Sequence, residues 1–155
     1  MPQVFISYSR KDSAFARKLA GDLEKAGYDV WWDLTDLRGG DDWPRVIPAA
    51  IESSQYVIVV LSPNSAVSEW VEKEYTQALG LRKKIIPILL KPSPVPFALN
   101  TINYVNFAAG EYVDNLTTCW PHWDIPVNHL SRLRGLCCRY HPRFRSMLFP
   151  SLSGS

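Results

Sequence analysis

Tyr56-Val57-Ile58-Val59-Val60-Leu61 decides the fold. Successive residues of a strand point to opposite faces, and here both parities are apolar, so the segment reads as a strand covered on both sides. That environment belongs to a parallel sheet with helices packed on each face. The flanking sequence agrees. Upstream, Val4-Phe5-Ile6-Ser7-Tyr8 and Tyr28-Asp29-Val30-Trp31-Trp32 are β-branched and aromatic runs that read as strands. Between them Phe15, Leu19, Leu23 and Ala26 recur at helical spacing, with Asp12 as the expected N-cap and Gly27 as the stop. Pro44 fits the first turn of a second helix carrying Ile47 and Ile51, which Pro48 should leave short or irregular.

Downstream, Ser68 is a good N-cap for a third helix from Glu69 to about Lys83. Glu69 and Glu72 would open it and Arg82, Lys83 and Lys84 close it, matching the macrodipole at both ends. Ile85-Ile86-Pro87-Ile88-Leu89-Leu90 is a further strand, in which Pro87 implies a bulge or an edge. Pro92, Pro94 and Pro96 mark an extended loop, Tyr104-Val105-Asn106-Phe107 a last weak strand, and Glu111 to Leu116 the beginning of a helix. Strands and helices thus alternate, which predicts an α/β fold: a central parallel sheet of about five strands with helices on both faces and the first strand central.

Composition narrows the function classes. The 155 residues are 46% hydrophobic and 21% charged, the balance of an ordinary globular domain. A net charge of +2 gives no argument for a nucleic-acid or membrane partner. Apolar runs fall short of the ~20 residues of a spanning helix, and the first residues lack a basic n-region, so the expected location is the cytoplasm. The chain changes character after Leu116. Residues 1–116 hold 12 basic and 14 acidic residues, whereas 117–155 hold five arginines, one aspartate, and all three cysteines and all three histidines. We read 1–116 as the domain and 117–155 as an atypical basic tail, either completing the last helix or disordered. Cys119-x-x-His122 and Cys138-x-x-His141 have a zinc-like spacing. In a tail so rich in proline the pairs read as coincidence, and no metal is expected.

In open parallel sheets, ligands bind at the carboxyl ends of the strands. Those ends here are Ser7-Tyr8-Ser9-Arg10, Trp32-Asp33, Leu61-Ser62 and the loop after Leu90. A phosphate-accepting response-regulator-like site would need acidic residues after the first strand, and Ser7-Tyr8-Ser9-Arg10 has none.

Phe5-Ile6-Ser7-Tyr8, then Trp31-Trp32-Asp33 with Leu37-Arg38-Gly39-Gly40-Asp41, then Leu61-Ser62-Pro63-Asn64-Ser65 with Ser68-Glu69-Trp70-Val71-Glu72-Lys73-Glu74, and finally Ile85-Ile86-Pro87-Ile88 follow one another in the order of a known family. Together they resemble the Toll/interleukin-1 receptor (TIR) domain, a flavodoxin-like fold, over roughly residues 3–113. That family contains signalling scaffolds and enzymes that hydrolyse or cyclise NAD. The resemblance implies an NAD glycohydrolase cleaving the nicotinamide–ribose bond, with ADP-ribose or a cyclic isomer as product, in immune or cell-death signalling. Its enzymatic members carry a glutamate four residues after a tryptophan at this helix start, which falls on Glu74 after Trp70. Asp33 to Asp42 corresponds to the family's BB loop. The resemblance makes Leu37, Arg38, Gly39 and Gly40 a self-association surface for other TIR domains. Arg38 stands where some animal relatives carry an acidic residue, which weakens substrate contacts from this loop. The alternative reading is a non-catalytic module that recruits other TIR domains through the same loop.

The residues themselves fit the chemistry. Nicotinamide in oxidised NAD is a cationic pyridinium and a good leaving group, so it needs no general acid, unlike the paired carboxylates of glycosidases. One positioned carboxylate, Glu74, can stabilise a developing ribosyl cation and hold the ribose hydroxyls. Trp70 and Glu74 are i and i+4 and share a helix face, while Val71, Tyr75, Ala78 and Leu79 form the expected core stripe, leaving Glu74 off the core, where the helix start and Lys73 should favour its ionised form. Tyr8, Trp32, Trp43 and Trp70 are candidate aromatic platforms, and Arg10 the candidate phosphate contact. Tyr8, Ser9, Arg10, Asp33 and Trp70 are the expected substrate-binding residues, NAD being substrate and no cofactor being required.

Overall fold

The computed structural model describes residues 3–32, 43–112, 115 and 116, with the side chains of Trp43 and Pro44 left aside. In chain order the elements are β1 (Gln3–Ser7), a 3-10 turn (Arg10–Asp12), α1 (Ser13–Lys25), β2 (Asp29–Trp31), α2 (Trp43–Ser53), β3 (Tyr56–Leu61), a 3-10 turn (Ser65–Val67), α3 (Glu69–Gly80), β4 (Lys84–Leu89), a 3-10 turn (Phe97–Leu99) and β5 (Val105–Asn106). The five strands form one sheet in the order β2-β1-β3-β4-β5. Every pairing is parallel. This is the flavodoxin-like order. β1 is interior, between β2 and β3, although the geometric middle strand is β3.

The two-sided strand behaves as its sequence demands. All six residues of β3 are buried. Ile58 and Val60 join Val4, Ile6, Leu19, Leu23, Ile86 and Ile88 in a core on the α1 side. Val57, Val59 and Leu61 join Phe5, Ile47, Ile51, Val71, Tyr75 and Ala78 in a second core on the α2–α3 side. β1 follows the same alternation. Val4 and Ile6 face α1, and Phe5 faces α2 and α3. Ser7 therefore also points toward α2 and α3.

Local expectations were met unevenly. Gly27 ends α1 with φ of 95°, a backbone a β-carbon opposes. Gly27→Ala is accordingly expected to lower stability by about 1–2 kcal/mol, measurable by urea denaturation. Pro48 lies inside α2, yet the helix runs 11 residues. An interior proline costs about 3 kcal/mol, but burying Ile47 and Ile51 returns roughly 1.5–3 kcal/mol each, so packing wins. At Pro87, β5 has not yet begun, since it pairs only with Ile88 and Leu89, so β4 is an edge there. α3 ends at Gly80 rather than near Lys83, and no basic residue occupies its last turn. Arg82 adopts φ of 54° and turns the chain so that Lys84 can enter β4 opposite Tyr56. Strand register thus overrides the charge pattern. The tail 117–155, with its cysteine and histidine pairs, lies outside the described residues. Among the described residues, no helix is long and apolar enough to cross a membrane.

Candidate active site

Ser7 is the last residue of β1, paired with Val59 of β3 at the carboxyl side of the sheet. α3 follows the β3 loop and packs across β1, β3 and β4. Glu74, in its second turn, meets Ser7 there. The Ser7 hydroxyl donates a 2.5 Å hydrogen bond to Glu74 Oε2. The pair is enclosed: Ser7 is 1% exposed and Glu74 6%. Among the described residues, Glu74 Oε1 accepts no hydrogen bond.

Burial raises the Glu74 carboxyl from 4.5 to about 7, and the Ser7 hydroxyl acts against that rise. This corrects two expectations. Glu74 does not stand off the core face. At about 100° per residue it lies only about 40° round the helix from Trp70, in the direction of Val71 at about 100° and Ala78 at about 80°. Leu79 is only partly buried, so the core stripe is centred nearer Glu74 than its four apolar residues suggest. Nor do the helix start and Lys73 keep the carboxylate at an ordinary pKa. The helix field fades within the first turn, and Lys73 sits 4.0 Å from Glu69 and 5.3 Å from the Trp70 ring centre.

Trp70 is 56% exposed, a large aromatic surface one turn before Glu74. Tyr8 and Trp32 are half-buried and pack against the α1-side core, on the other face of the sheet from Glu74. The Arg17 guanidinium lies 5.9 Å over the Trp32 ring. Ser9 is half-buried ahead of the 3-10 turn and makes no capping bond, and Arg10 is exposed. Asp33, Leu37, Arg38, Gly39 and Gly40 lie outside the described residues, as does the side chain of Trp43. Strand parity thus joins Ser7, rather than Tyr8, to Glu74, and Ser9 lies beyond the end of β1.

A second buried polar group braces the neighbouring loops. Asp12 was expected to cap α1, but its side chain makes no cap bond. Instead its carboxylate accepts from Ser62 Oγ at 2.5 Å and from Asn64 Nδ2 at 3.0 Å. The Ser65 hydroxyl in turn accepts from the Ser62 N–H at 2.8 Å, and the Ser65 N–H donates to Ser62 Oγ at 3.1 Å. These bonds tie the β1–α1 loop to the β3–α3 loop, the two segments adjoining Ser7 and the start of α3. Ser7, Ser62, Asn64 and Ser65 were not among the expected site residues. For Ser7 the signal was available: it is the one polar residue in Val4-Phe5-Ile6-Ser7 and shares the parity of Phe5. For Asp12 the local signal pointed to a cap, and only tertiary structure brings Ser62 to it. No group of three or more metal-ligating side chains occurs among the described residues.

Comparison with known proteins identifies the family of the chain. The family model described as "TIR domain" matches residues 4–119. Over 95 residues, 58% of this chain and 32% of the relative, the chain is 40% identical to "NAD(+) hydrolase PdTIR" of Paracoccus denitrificans. Over 89 residues, 54% of this chain and 31% of the relative, it is 32% identical to "2' cyclic ADP-D-ribose synthase BtTIR" of Bacteroides thetaiotaomicron. It spans about a third of the length of these curated relatives. Among solved structures it is similar to the TIR domain of a Toll-related receptor from Hydra magnipapillata, with TM-score 0.64 and 31% identity over 76% of this chain and 91% of that one. Sheet order and sequence therefore converge, and the chain belongs to the TIR domain family.

Proposed function

We propose that this TIR domain cleaves NAD at the nicotinamide–ribose bond, with Glu74 as the catalytic residue. The observation that carries the reading is a buried carboxylate, held by one oxygen and poised to ionise near neutrality, one helical turn beyond an exposed tryptophan. The names of its relatives, an NAD hydrolase and a cyclic ADP-ribose synthase, support it. Trp70 offers a face for nicotinamide to stack on. As the C1′–N bond breaks, the electron pair leaves with nicotinamide and positive charge grows on the ribose. An ionised Glu74 stabilises that charge from a site with little water, where such contacts are strongest. Water then adds to C1′ and gives up a proton, yielding ADP-ribose. Attack by a hydroxyl of the same molecule would give the cyclic isomer instead. Arg10, exposed after β1, is the phosphate contact, Tyr8 and Ser9 follow the same strand, and Asp33 follows β2 in the sequence.

Incubation of the purified protein with NAD, with products separated by chromatography, tests the reading. Nicotinamide should appear with ADP-ribose or its cyclic isomer, and unchanged NAD would count against it.

We further propose that the site gains activity when domains associate through Leu37, Arg38, Gly39 and Gly40. The rate per molecule should then rise with protein concentration, and Gly39→Pro should depress it by restricting the loop backbone. A rate per molecule independent of concentration over a wide range would argue against association.

A further inference from the structure

The hydrogen bond between β1 and α3 has a role of its own. Ser7 is enclosed and its Oγ reaches only one oxygen of Glu74, Oε2. A hydroxyl donor held against a carboxylate does two things. It fixes the rotation of the carboxyl plane, so the second oxygen keeps one direction. It also favours the charged form over the neutral one. We propose that Ser7 is a positioning residue for Glu74, holding the carboxylate by one oxygen so that the other is presented to the ribose, and setting the pH at which the site becomes active. This rests on the NAD-cleavage reading of the same site.

The surroundings leave this task to Ser7. Among the described residues, α3 packs mainly against α2, β1, β3, β4 and the Ser65–Val67 turn. β1 and the turn contain no titratable residue, and β3 contains only Tyr56, at its amino end. β4 contributes Lys84, also at the amino edge, and α2 contributes Arg45 and Glu52, both exposed. On α3 itself Glu69, Glu72 and Lys73 are exposed, while burial holds the Tyr75 phenol above its ordinary range and hence neutral. Asp12, on the adjoining loop, is committed to Ser62 and Asn64. Burial pushes Glu74 toward its neutral form, and the Ser7 hydroxyl is what opposes it.

The test compares wild type, Ser7→Ala and Ser7→Thr by two readouts: NAD cleavage against pH, and titration of the Glu74 carboxyl by carbon NMR. Losing a hydrogen bond to a charged group moves its titration midpoint by about one to two pH units. In Ser7→Ala the acid limb of kcat/KM and the carboxyl titration should both move up by that amount. At pH 7, kcat/KM should fall roughly 5- to 50-fold, while KM measured above the limb should stay within about twofold because Ser7 is shielded from substrate. Ser7→Thr keeps the hydroxyl and should return both toward wild type. A merely structural role for Ser7 would lower folded yield without moving either midpoint. Should Ser7→Ala not fold, Ser7→Cys, with its weaker donor, is expected to give an intermediate displacement. An unmoved limb and an unmoved Glu74 titration in a folded variant overturn the proposal. If wild type does not cleave NAD, the cleavage reading falls, while the carboxyl titration still decides whether Ser7 governs Glu74.

Discussion

Replacing Glu74 with glutamine is expected to cut NAD cleavage by roughly 10²- to 10³-fold, the usual cost of losing one preorganised electrostatic contact at a reacting centre. Glutamine keeps the shape and can still accept from the Ser7 hydroxyl, so the loss isolates the charge. Stability should move the other way. In the folded chain the carboxyl titrates at about 7, above its ordinary 4.5. The folded state therefore holds the proton more tightly than the unfolded state does. Its contribution to stability is complete below pH 4.5, declines as pH rises through 7, and is absent above. The full excursion is about 3 kcal/mol. Glu74→Gln carries no titrating group, so it should match wild type near pH 4.5 and exceed it by up to about 3 kcal/mol at pH 8. The sequence reading, with Glu74 on the surface, implied almost no change. Thermal melts of both proteins at the two pH values measure the difference. Glu72→Gln is the matched control, because Glu72 is exposed two residues away. An equal loss of activity there would assign the effect to helix charge in general. A stabilised but inactive Glu74→Gln would mean that this fold tolerates a destabilising buried carboxylate where chemistry needs it.

Asp12→Ala is expected to be the most destabilising single change outside the apolar cores, at about 3 kcal/mol. It removes a buried acceptor and strands two donors, the Ser62 hydroxyl and the Asn64 amide. A cap at the same position would cost only about 1 kcal/mol, so the magnitude separates the two roles. Asp12→Asn preserves one carbonyl acceptor and should fall between. Chemical denaturation of the three proteins makes the comparison, and a loss near 1 kcal/mol in Asp12→Ala would return Asp12 to the capping role.

The contrast between these residues explains what the sequence could and could not reveal. The apolar strand Tyr56–Leu61 announces its environment because two-sided burial leaves no polar parity. Gly27 marks the end of α1 because a positive φ suits glycine. Such signals are local, and they were enough for a parallel α/β fold. Glu74 could be named from its spacing after Trp70, since family motifs are linear. Its burial could not, because a rotation of about 40° on the helix decides whether a carboxylate meets water or Ser7. The Asp12 contact with Ser62 spans 50 residues. A local rule sees Asp12 only as a cap before Ser13, whereas sheet order brings β1 beside β3 and makes the longer bond available. The end of α3 was misplaced for a related reason: basic residues suggested a helix terminus, but the register of β4 required a turn at Arg82.

The most direct test follows NAD cleavage from pH 5 to 9 in wild type and Glu74→Gln, below the onset of unfolding. For the free enzyme, kcat/KM in wild type should rise tenfold per pH unit on the acid side and level off above about 7, the value burial gives Glu74. The limb in kcat should lie lower, because the bound pyridinium cation favours the ionised carboxylate. Glu74→Gln should be flat and slow throughout. A wild-type profile with no limb near neutrality, or a glutamine variant that retains both the rate and the limb, contradicts Glu74 as the group that drives cleavage.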